Sequence, residues 1–339
     1  VAAYPNLIKK EETRIKVARE VSDILGVDEA EILEKLSTVG ENGKYAQWVR
    51  LAKRIDPETA NRLNESSISA FLEVTNTPKR SYLNNTLASN IIGFVNDEGQ
   101  PGGGLELSLN NYIAGTKGIT VTEFDHMGNP IPIGISSHSE PIAGNDVVLT
   151  IDSYIQHVVE EELERAAEEF NADQIHAILM KPNTGEITAM ATYPSFDPNN
   201  YQSYDKNTYN NHPASFVYEP GSTFKPIYMA MALETGKIDE NSTFFDGAGH
   251  IVINGHSIKN WDRKPLGTVT PEQIIVNSSN VGMVQVSQQL EAKEIYEGLK
   301  KAGFGVRRGI ELPNEEYGLF PDEQKLKTDP LVKATEAFG

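Results

Sequence analysis

The sequence predicts an α+β protein of two domains, and three observations carry that expectation. Apolar residues recur at helical spacing up to about Asn64. Short apolar runs broken by glycine and asparagine follow from Ile68 to about Gly134. Beyond that, a long amphipathic helix, a hairpin and a second set of helices succeed one another. The 339 residues suit about two domains at the usual 100–200 residues each, and the change of texture puts the boundary near residue 140.

The elements follow in order. Ile15, Ala18, Val21 and Leu25 form one face of a helix over residues 9–25, stopped by Gly26. Asp28 and Glu31 resemble a capping box ahead of Ile32, Leu33 and Leu36. Trp48, Val49 and Leu51 read as a further short helical stretch. Asp56-Pro57-Glu58 is a strong helix start, with a capping carboxylate and proline at the first helical position. Ile91 to Val95 and Ile131 to Ile133 read as strands, with turns at Gly99 to Gly104 and Asp125 to Asn129. Gly102-Gly103-Gly104 reads as a flexible turn, since no Lys-Ser/Thr follows it as in a phosphate loop.

A strand over Asp146 to Ile151 leads to Asp152, the N-cap of a helix with Ile155, Val159, Leu163, Ala166 and Phe170 on one face. Ile175 to Met180, a Pro182-Asn183-Thr184-Gly185 turn and Glu186 to Thr192 form a hairpin. A Pro/Asn/Tyr-rich loop over residues 194–213 then delivers the chain to an apolar helix, expected to pack beneath an antiparallel sheet. Short turns and strands follow, and Thr270-Pro271-Glu272-Gln273 starts another helix. It breaks at Asn277-Ser278-Ser279-Asn280, and helices resume over Val281 to Leu290 and Ala292 to Ala302.

Composition narrows the function. Hydrophobic content of 39% and charged content of 23% are ordinary for a chain that buries real cores. A net charge of -18 argues against a general nucleic-acid binder, which needs a basic face. The absence of cysteine removes disulfides, thiolate catalysis and Cys-based zinc sites. The 7 histidines are scattered without ligand spacing, so no metal or cofactor is expected; His250 and His256 are expected to flank a turn and to be exposed. No apolar run reaches the roughly 18 residues of a membrane helix. The chain starts at Val1 and stops at Gly339 as if cut at both ends.

The candidate chemistry lies in Tyr218-Glu219-Pro220-Gly221-Ser222-Thr223-Phe224-Lys225-Pro226. If Ser222 opens the apolar helix, Lys225 lies one turn on and on the same face, so hydroxyl and amine can meet. An amine that near can take the hydroxyl proton when burial keeps it neutral. Ser222 therefore reads as a nucleophile and Lys225 as its base. The spacing alone is weak, since Ser203-Tyr204-Asp205-Lys206 repeats it in a polar loop, and Ser108-Leu109-Asn110 mimics Ser278-Ser279-Asn280 in a turn-rich segment. The bland alternative makes Ser222 a helix-start residue, Lys225 a snorkelling surface lysine and Ser278 with Asn280 helix caps. Context favours chemistry: Ser222 follows Pro-Gly on an apolar helix, and Ser278 follows 56 positions later between two helices.

Ser-x-x-Lys, Ser-x-Asn and Lys-Thr-Gly are the signature set of penicillin-binding proteins and serine β-lactamases. With two of the three in order, the chain resembles a class B (monofunctional) penicillin-binding protein, a D,D-transpeptidase of peptidoglycan synthesis. Val148 to Asp152 with Ile155-Gln156, Pro182 to Ile187 and Pro194 to Asn199 are similar to the transpeptidase domain's entry, hairpin and following loop. Arg80-Ser81-Tyr82 and Gly104-Leu105-Glu106 resemble motifs of the non-catalytic pedestal. Leu83 departs from the proline often found after that tyrosine. The resemblance implies a pedestal, or dimerisation-type domain, over 1–140 and a penicillin-binding transpeptidase domain over 141–339, with an antiparallel sheet flanked by helices.

It also implies roles. Ser222 attacks the carbonyl between two terminal D-alanines of a stem peptide, and Lys225 accepts its proton. Ser278 relays a proton to the departing amine, Asn280 holds the substrate amide and orients Lys225, and the Ser222 N–H is one oxyanion donor. Trp261 matches a position near the cleft wall. β-Lactams acylate Ser222. A membrane anchor precedes Val1, and the domain faces the extracytoplasmic side. A polytopic membrane glycosyltransferase and other wall-synthesis proteins are the implied partners, in division or cell-shape wall synthesis. A β-lactamase, a D,D-carboxypeptidase, or a catalytically silent sensor or scaffold are the alternatives.

One element is missing. No Lys-Thr-Gly or Lys-Ser-Gly occurs; Gly115-Thr116-Lys117-Gly118 and Glu234-Thr235-Gly236-Lys237 have the wrong order. In the family that motif follows the segment resembling Ala337-Phe338-Gly339. The transpeptidase domain is therefore expected to be incomplete here, and this polypeptide alone is expected to acylate poorly or not at all.

Overall fold

The computed structural model describes residues 1–40, 43–77, 79–123, 131 and 136–339. The chain divides into two units, Val1–Asn85 with Val95–Gly102, and Thr86–Phe94 with Gly103–Gly339.

In the first unit, β1 (Ala2–Ala3) is the middle strand of a small antiparallel sheet between β2 (Val49–Arg50) and β3 (Leu72–Glu73). Helix α1 (Glu11–Leu25) ends at Gly26 in the left-handed region (φ 69°), a conformation glycine adopts without a Cβ penalty. Asp28 caps α2 (Glu29–Leu36) through the Ala30 N–H, and Asp56 caps α3 (Pro57–Glu65) through that of Thr59. Ile8, Val17, Val21, Ile32, Leu36 and Ile68 form the core, each burial contributing roughly 1.5–3 kcal/mol.

Two readings change in this unit. The buried face of α1 includes Arg14 rather than Ile15. The guanidinium is tolerated there because it donates to Glu11 (2.7 Å), the Ile8 carbonyl (2.8 Å) and the Tyr45 hydroxyl (3.0 Å), while lying 3.8 Å over the Tyr45 ring. The segment around Val49 is strand rather than helix. The ladder with β1 absorbs its backbone groups and leaves Trp48 half-exposed, donating to Glu73.

The second unit begins with α4 (Ser89–Ile92), where a strand was expected. Asn90 explains the difference: its side-chain amide donates to the Thr208 and Asn210 carbonyls, and Ile91 is buried. Helix α5 (Gly104–Ser108) follows, and the glycines here are more than a flexible turn. A Cβ on Gly93 would fall 1.9 Å from the Gly103 oxygen, and one on Gly104 2.4 Å from the Ile91 oxygen, so two backbone segments touch. Helix α6 (Asn110–Ile113) precedes a hairpin of β4 (Ile119–Thr122) and β5 (Ser136–Ser139). The expected turn at Asp125–Asn129 lies outside the described residues, as do Pro132 and Ile133 of the expected strand over residues 131–133.

Residues 146–151 form no regular strand. They run beside the next hairpin, with Thr150 Oγ1 donating to the Ile187 carbonyl at 2.6 Å. Asp152 caps α7 (Ser153–Phe170) through the Tyr154 and Ile155 N–H groups. The buried stripe of α7 is rotated from the expected one, to Gln156, Leu163 and Ala167, with Phe170 exposed. Gln156 is the cause. Its side-chain amide pairs with both backbone groups of Met190 at 2.8 and 2.9 Å, as a neighbouring strand would. The antiparallel pair β6 (Ile175–Met180) and β7 (Ile187–Tyr193) therefore packs on α7 and on the short α8 (His212–Ser215).

Helix α9 (Lys225–Glu234) packs mainly into a helical core rather than on that hairpin. Its Tyr228, Met229, Met231 and Ala232 enter a core with Ile274, Met283, Val286, Ile295 and Leu299. Around it run β8 (Phe244–Phe245), the hairpin β9 (His250–Ile253) and β10 (His256–Lys259), then β11 (Thr268–Val269), which pairs with β8. His250 and His256 are both exposed at the two ends of that hairpin register. Next come α10 (Pro271–Val276), started by a Thr270–Gln273 capping box, α11 (Asn280–Gln288) and α12 (Ala292–Ala302). Helices α13 (Glu323–Thr328) and α14 (Pro330–Thr335) lead to a 3-10 turn over Glu336–Phe338. Among the described residues no helix is long and apolar enough to cross a membrane.

Candidate active site

Ser222 sits on a one-turn 3-10 helix, Gly221–Phe224, that runs directly into α9. The turn is sharp because Gly221 takes φ +60° and Thr223 Oγ1 donates to the Pro220 carbonyl at 2.7 Å. In a 3-10 turn residues three apart eclipse, which sets Ser222 and Lys225 on one side. Pro226 costs no backbone bond at the start of α9. Ser222 is exposed, whereas Lys225 is 1% exposed. Burial pushes the lysine amine down from 10.5 to about 8.

The amine bonds across to the junction between α10 and α11. Lys225 Nζ lies 2.6 Å from Asn280 Oδ1, 2.8 Å from the Ser278 carbonyl oxygen and 3.0 Å from Ser278 Oγ. Ser278 Oγ in turn lies 2.8 Å from Ser222 Oγ. The Lys225 amine and the Ser222 hydroxyl are thus linked through a second hydroxyl, rather than by the direct contact the helical spacing suggested. Ser222, Lys225, Ser278 and Asn280 are brought together in one continuous array.

The junction is built to present these groups. Ser278 adopts φ 53°, a left-handed conformation that costs a non-glycine residue about 1–2 kcal/mol. It is held from both sides. The Ser278 N–H donates to the Ile275 carbonyl, and Ser279 caps α11 through the Gly282 N–H at 2.8 Å. Asn280 donates from Nδ2 to the Lys259 carbonyl on β10 at 2.9 Å, which turns its oxygen toward Lys225.

A cavity of about 240 Å³ opens beside Ser278, lined also by Asn260, Trp261, Asp262, Leu266, Val276 and Asn277. Trp261, on the turn after β10, is 76% exposed and forms part of its wall. The decoy lysine, Lys206, lies on an exposed 3-10 turn, and the Ser108 hydroxyl donates to backbone carbonyls. Among the described residues no cluster of His, Asp or Glu is placed to hold a metal ion. Two buried side chains beneath the junction, Asp246 and Asn260, carried no sequence signal: Asp246 reads as part of a Phe-Asp-Gly turn, and Asn260 as a polar residue at a strand end.

An exposed hydroxyl, a second hydroxyl and a buried amine held by a side-chain amide match the Ser-x-x-Lys and Ser-x-Asn arrangement of penicillin-binding proteins and serine β-lactamases. Two family patterns match the chain: the penicillin-binding protein dimerisation domain over residues 1–149, and the penicillin binding protein transpeptidase domain over 175–339. The chain belongs to the class B penicillin-binding proteins. It is 32% identical over 327 residues to stage V sporulation protein D of Bacillus subtilis (96% of this chain, 50% of that protein). It is 30% identical over 307 residues to the peptidoglycan D,D-transpeptidase FtsI of Escherichia coli K12 (91% and 51%). A peptidoglycan synthetase crystal structure from Bifidobacterium adolescentis superposes with a TM-score of 0.72 at 25% identity, covering 96% of this chain and 57% of that one. The chain spans about half the length of the curated relatives it matches.

Proposed function

We propose that this chain carries the nucleophile and base of a serine D,D-transpeptidase that cross-links peptidoglycan stem peptides. The observation that supports it best is the continuous path from Ser222 Oγ through Ser278 Oγ to the buried Lys225 amine, at 2.8 and 3.0 Å. A neutral amine can donate to the Ser278 carbonyl and to Asn280 while accepting from the Ser278 hydroxyl, which then accepts from Ser222. The path is thereby poised to take a proton off Ser222. An amine at about 8 is largely protonated near neutral pH, with a neutral fraction far larger than an ordinary lysine has.

In the reaction so read, Ser222 Oγ bonds to the carbonyl carbon of the penultimate D-alanine, and its proton moves through Ser278 to Lys225. The carbon–nitrogen bond to the terminal D-alanine breaks, and the departing amine takes a proton back from Ser278. The resulting ester is attacked by an amine of a second stem peptide, the carbon–oxygen bond breaks, and Ser222 regains its proton. Asn280 and Trp261 bound the substrate, the former by its amide and the latter as cleft wall. The Ser222 N–H is one oxyanion donor. β-Lactams acylate the same oxygen.

Residues 1–140 act as the non-catalytic pedestal and residues 141–339 as the transpeptidase part. The whole protein is held at the membrane by a single-pass anchor with this domain on the extracytoplasmic side, beside a polytopic glycosyltransferase and other wall-synthesis proteins. Prolonged incubation with benzylpenicillin, proteolysis and mass spectrometry test the reading. A slow gain of one penicilloyl group confined to the peptide bearing Ser222, and lost in Ser222→Ala, is expected. An adduct elsewhere, or one that water removes as fast as it forms, overturns it in favour of another serine chemistry.

A further inference from the structure

Beneath the Ser278–Asn280 junction lies a closed polar cluster whose members are almost wholly buried: Asp246 (1% exposed), Asn260 (4%) and Ser279 (0%). One carboxylate oxygen, Asp246 Oδ2, accepts from Ser279 Oγ at 2.8 Å and from Asn260 Nδ2 at 2.7 Å. Asn260 Oδ1 accepts the Val281 N–H at 3.2 Å and lies 3.2 Å from Ser279 Oγ, while Ser279 Oγ accepts the Gly282 N–H. The other Asp246 oxygen has no protein partner. Burying a carboxylate with one oxygen unpaired is costly, and apolar residues would serve a purely structural corner at least as well.

The cluster's position gives it a use. Ser279 separates the two residues that hold the Lys225 amine, so whatever fixes Ser279 fixes the direction of Ser278 Oγ and Asn280 Oδ1 together. Asp246 is itself anchored, its N–H donating to the Gly267 carbonyl and its carbonyl accepting from Gly249. The Asn260 N–H donates to the Gly249 carbonyl, so strand ends and the junction are clamped as one body. The sharp left-handed turn at Ser278 has to be paid for by surrounding contacts, and these are the buried ones on its C-terminal side.

Resting on the reading of Ser222 as nucleophile, we infer that Asp246 and Asn260 are positioning residues that act through Ser279 to aim Ser278 and Asn280 at the Lys225 amine. Asp246→Ala removes the shared acceptor, whereas Asp246→Asn keeps an oxygen for Ser279 and Asn260. Displacing the two aimed groups by as little as an ångström is expected to slow reaction at Ser222 about 10- to 100-fold.

The test is the rate at which an alkyl fluorophosphonate, a probe that asks only for an activated serine, labels Ser222 as a function of pH. In the whole protein, the wild type, Asp246→Ala, Asp246→Asn, Ser279→Ala and the Asp246→Ala/Ser279→Ala double variant are compared, each with its thermal melt. The inference expects slow labelling with a displaced pH inflection in the alanine variants, recovery in Asp246→Asn, and no further loss in the double variant. If Asp246→Ala does not fold, Ser279→Ala against wild type carries the same comparison. Wild-type rates and inflection in folded alanine variants overturn the inference and leave the nucleophile assignment standing. A whole wild-type protein that stays unlabelled at Ser222 removes that assignment and the inference with it.

Discussion

Ser278 Oγ stands 2.8 Å from Ser222 Oγ and 3.0 Å from Lys225 Nζ, so the second serine links the buried amine to the exposed hydroxyl. The charge on Lys225 decides which way that pair of hydroxyls points. An ammonium donates to Ser278 and turns its proton toward Ser222; a neutral amine accepts from Ser278 and draws the Ser222 proton the other way. Lys225→Arg keeps the charge but cannot lose it at working pH. Labelling of Ser222 by benzylpenicillin or a fluorophosphonate is expected to fall about 10²–10⁴-fold, and the rise in rate through pH 8 to disappear. A rate within a few-fold of wild type excludes Lys225 as base.

The left-handed backbone at Ser278 (φ 53°) predicts a difference between two variants that lose the same hydroxyl. Ser278→Ala keeps the strain. Ser278→Gly relieves about 1–2 kcal/mol of it while adding somewhat less than 1 kcal/mol of unfolded-state freedom. The glycine variant is expected to be more stable than the alanine variant by about 1 kcal/mol, read by urea denaturation, with Ser222 labelling reduced in both. Equal stabilities mean that Ser278 is not strained.

Much of this was legible in the sequence where a local rule governs. The caps at Asp28, Asp56, Asp152 and Thr270 all appear, because capping depends on a few adjacent residues, although Glu31 accepts from Lys35 instead of completing a box with Asp28. What failed were positions decided by distant partners. Ile91 reads as strand until Asn90 finds carbonyls at residues 208 and 210, and the stripe of α7 turns because Gln156 finds Met190. The spacing of Ser222 and Lys225 was readable for the same local reason. That Ser278 would stand between them was not, since helical spacing says nothing of a side chain 53 residues further on. Asp246 shows its place only once β8, β10 and α11 are assembled around it.

Gly93 and Gly104 supply a stability prediction from backbone contact alone. Gly104 has φ +51°, and an added Cβ would meet the Ile91 oxygen at 2.4 Å and the Gly93 nitrogen at 2.5 Å. Neither atom can swing away as a side chain could. Gly104→Ala is expected to cost at least about 2–3 kcal/mol, from left-handed strain plus overpacking. Gly185→Ala, at a similar φ (+77°) with nothing within 4 Å of the new Cβ, is the control and should cost only the strain. Thermal melts of the two decide it, and equal losses would show that the segments are free to part.

Two groups give opposite pH slopes to stability. Lys225 titrates at about 8, below its ordinary 10.5, so between those values the unfolded chain binds more protons and stability rises with pH. Burial raises Glu336, in the turn after α14, from 4.5 to about 7. Across that window the folded chain binds more protons, so stability falls as pH rises and the cost is fully present above pH 7. Glu336→Gln abolishes only the second slope. It is expected to stabilise the protein by about 1–3 kcal/mol at pH 8 and by little near pH 4.5, where the wild-type carboxyl is neutral in the fold. Urea denaturation at the two pH values checks this. A gain of the same size at both would mean that the effect comes from packing, and that the Glu336 charge is not strained by burial.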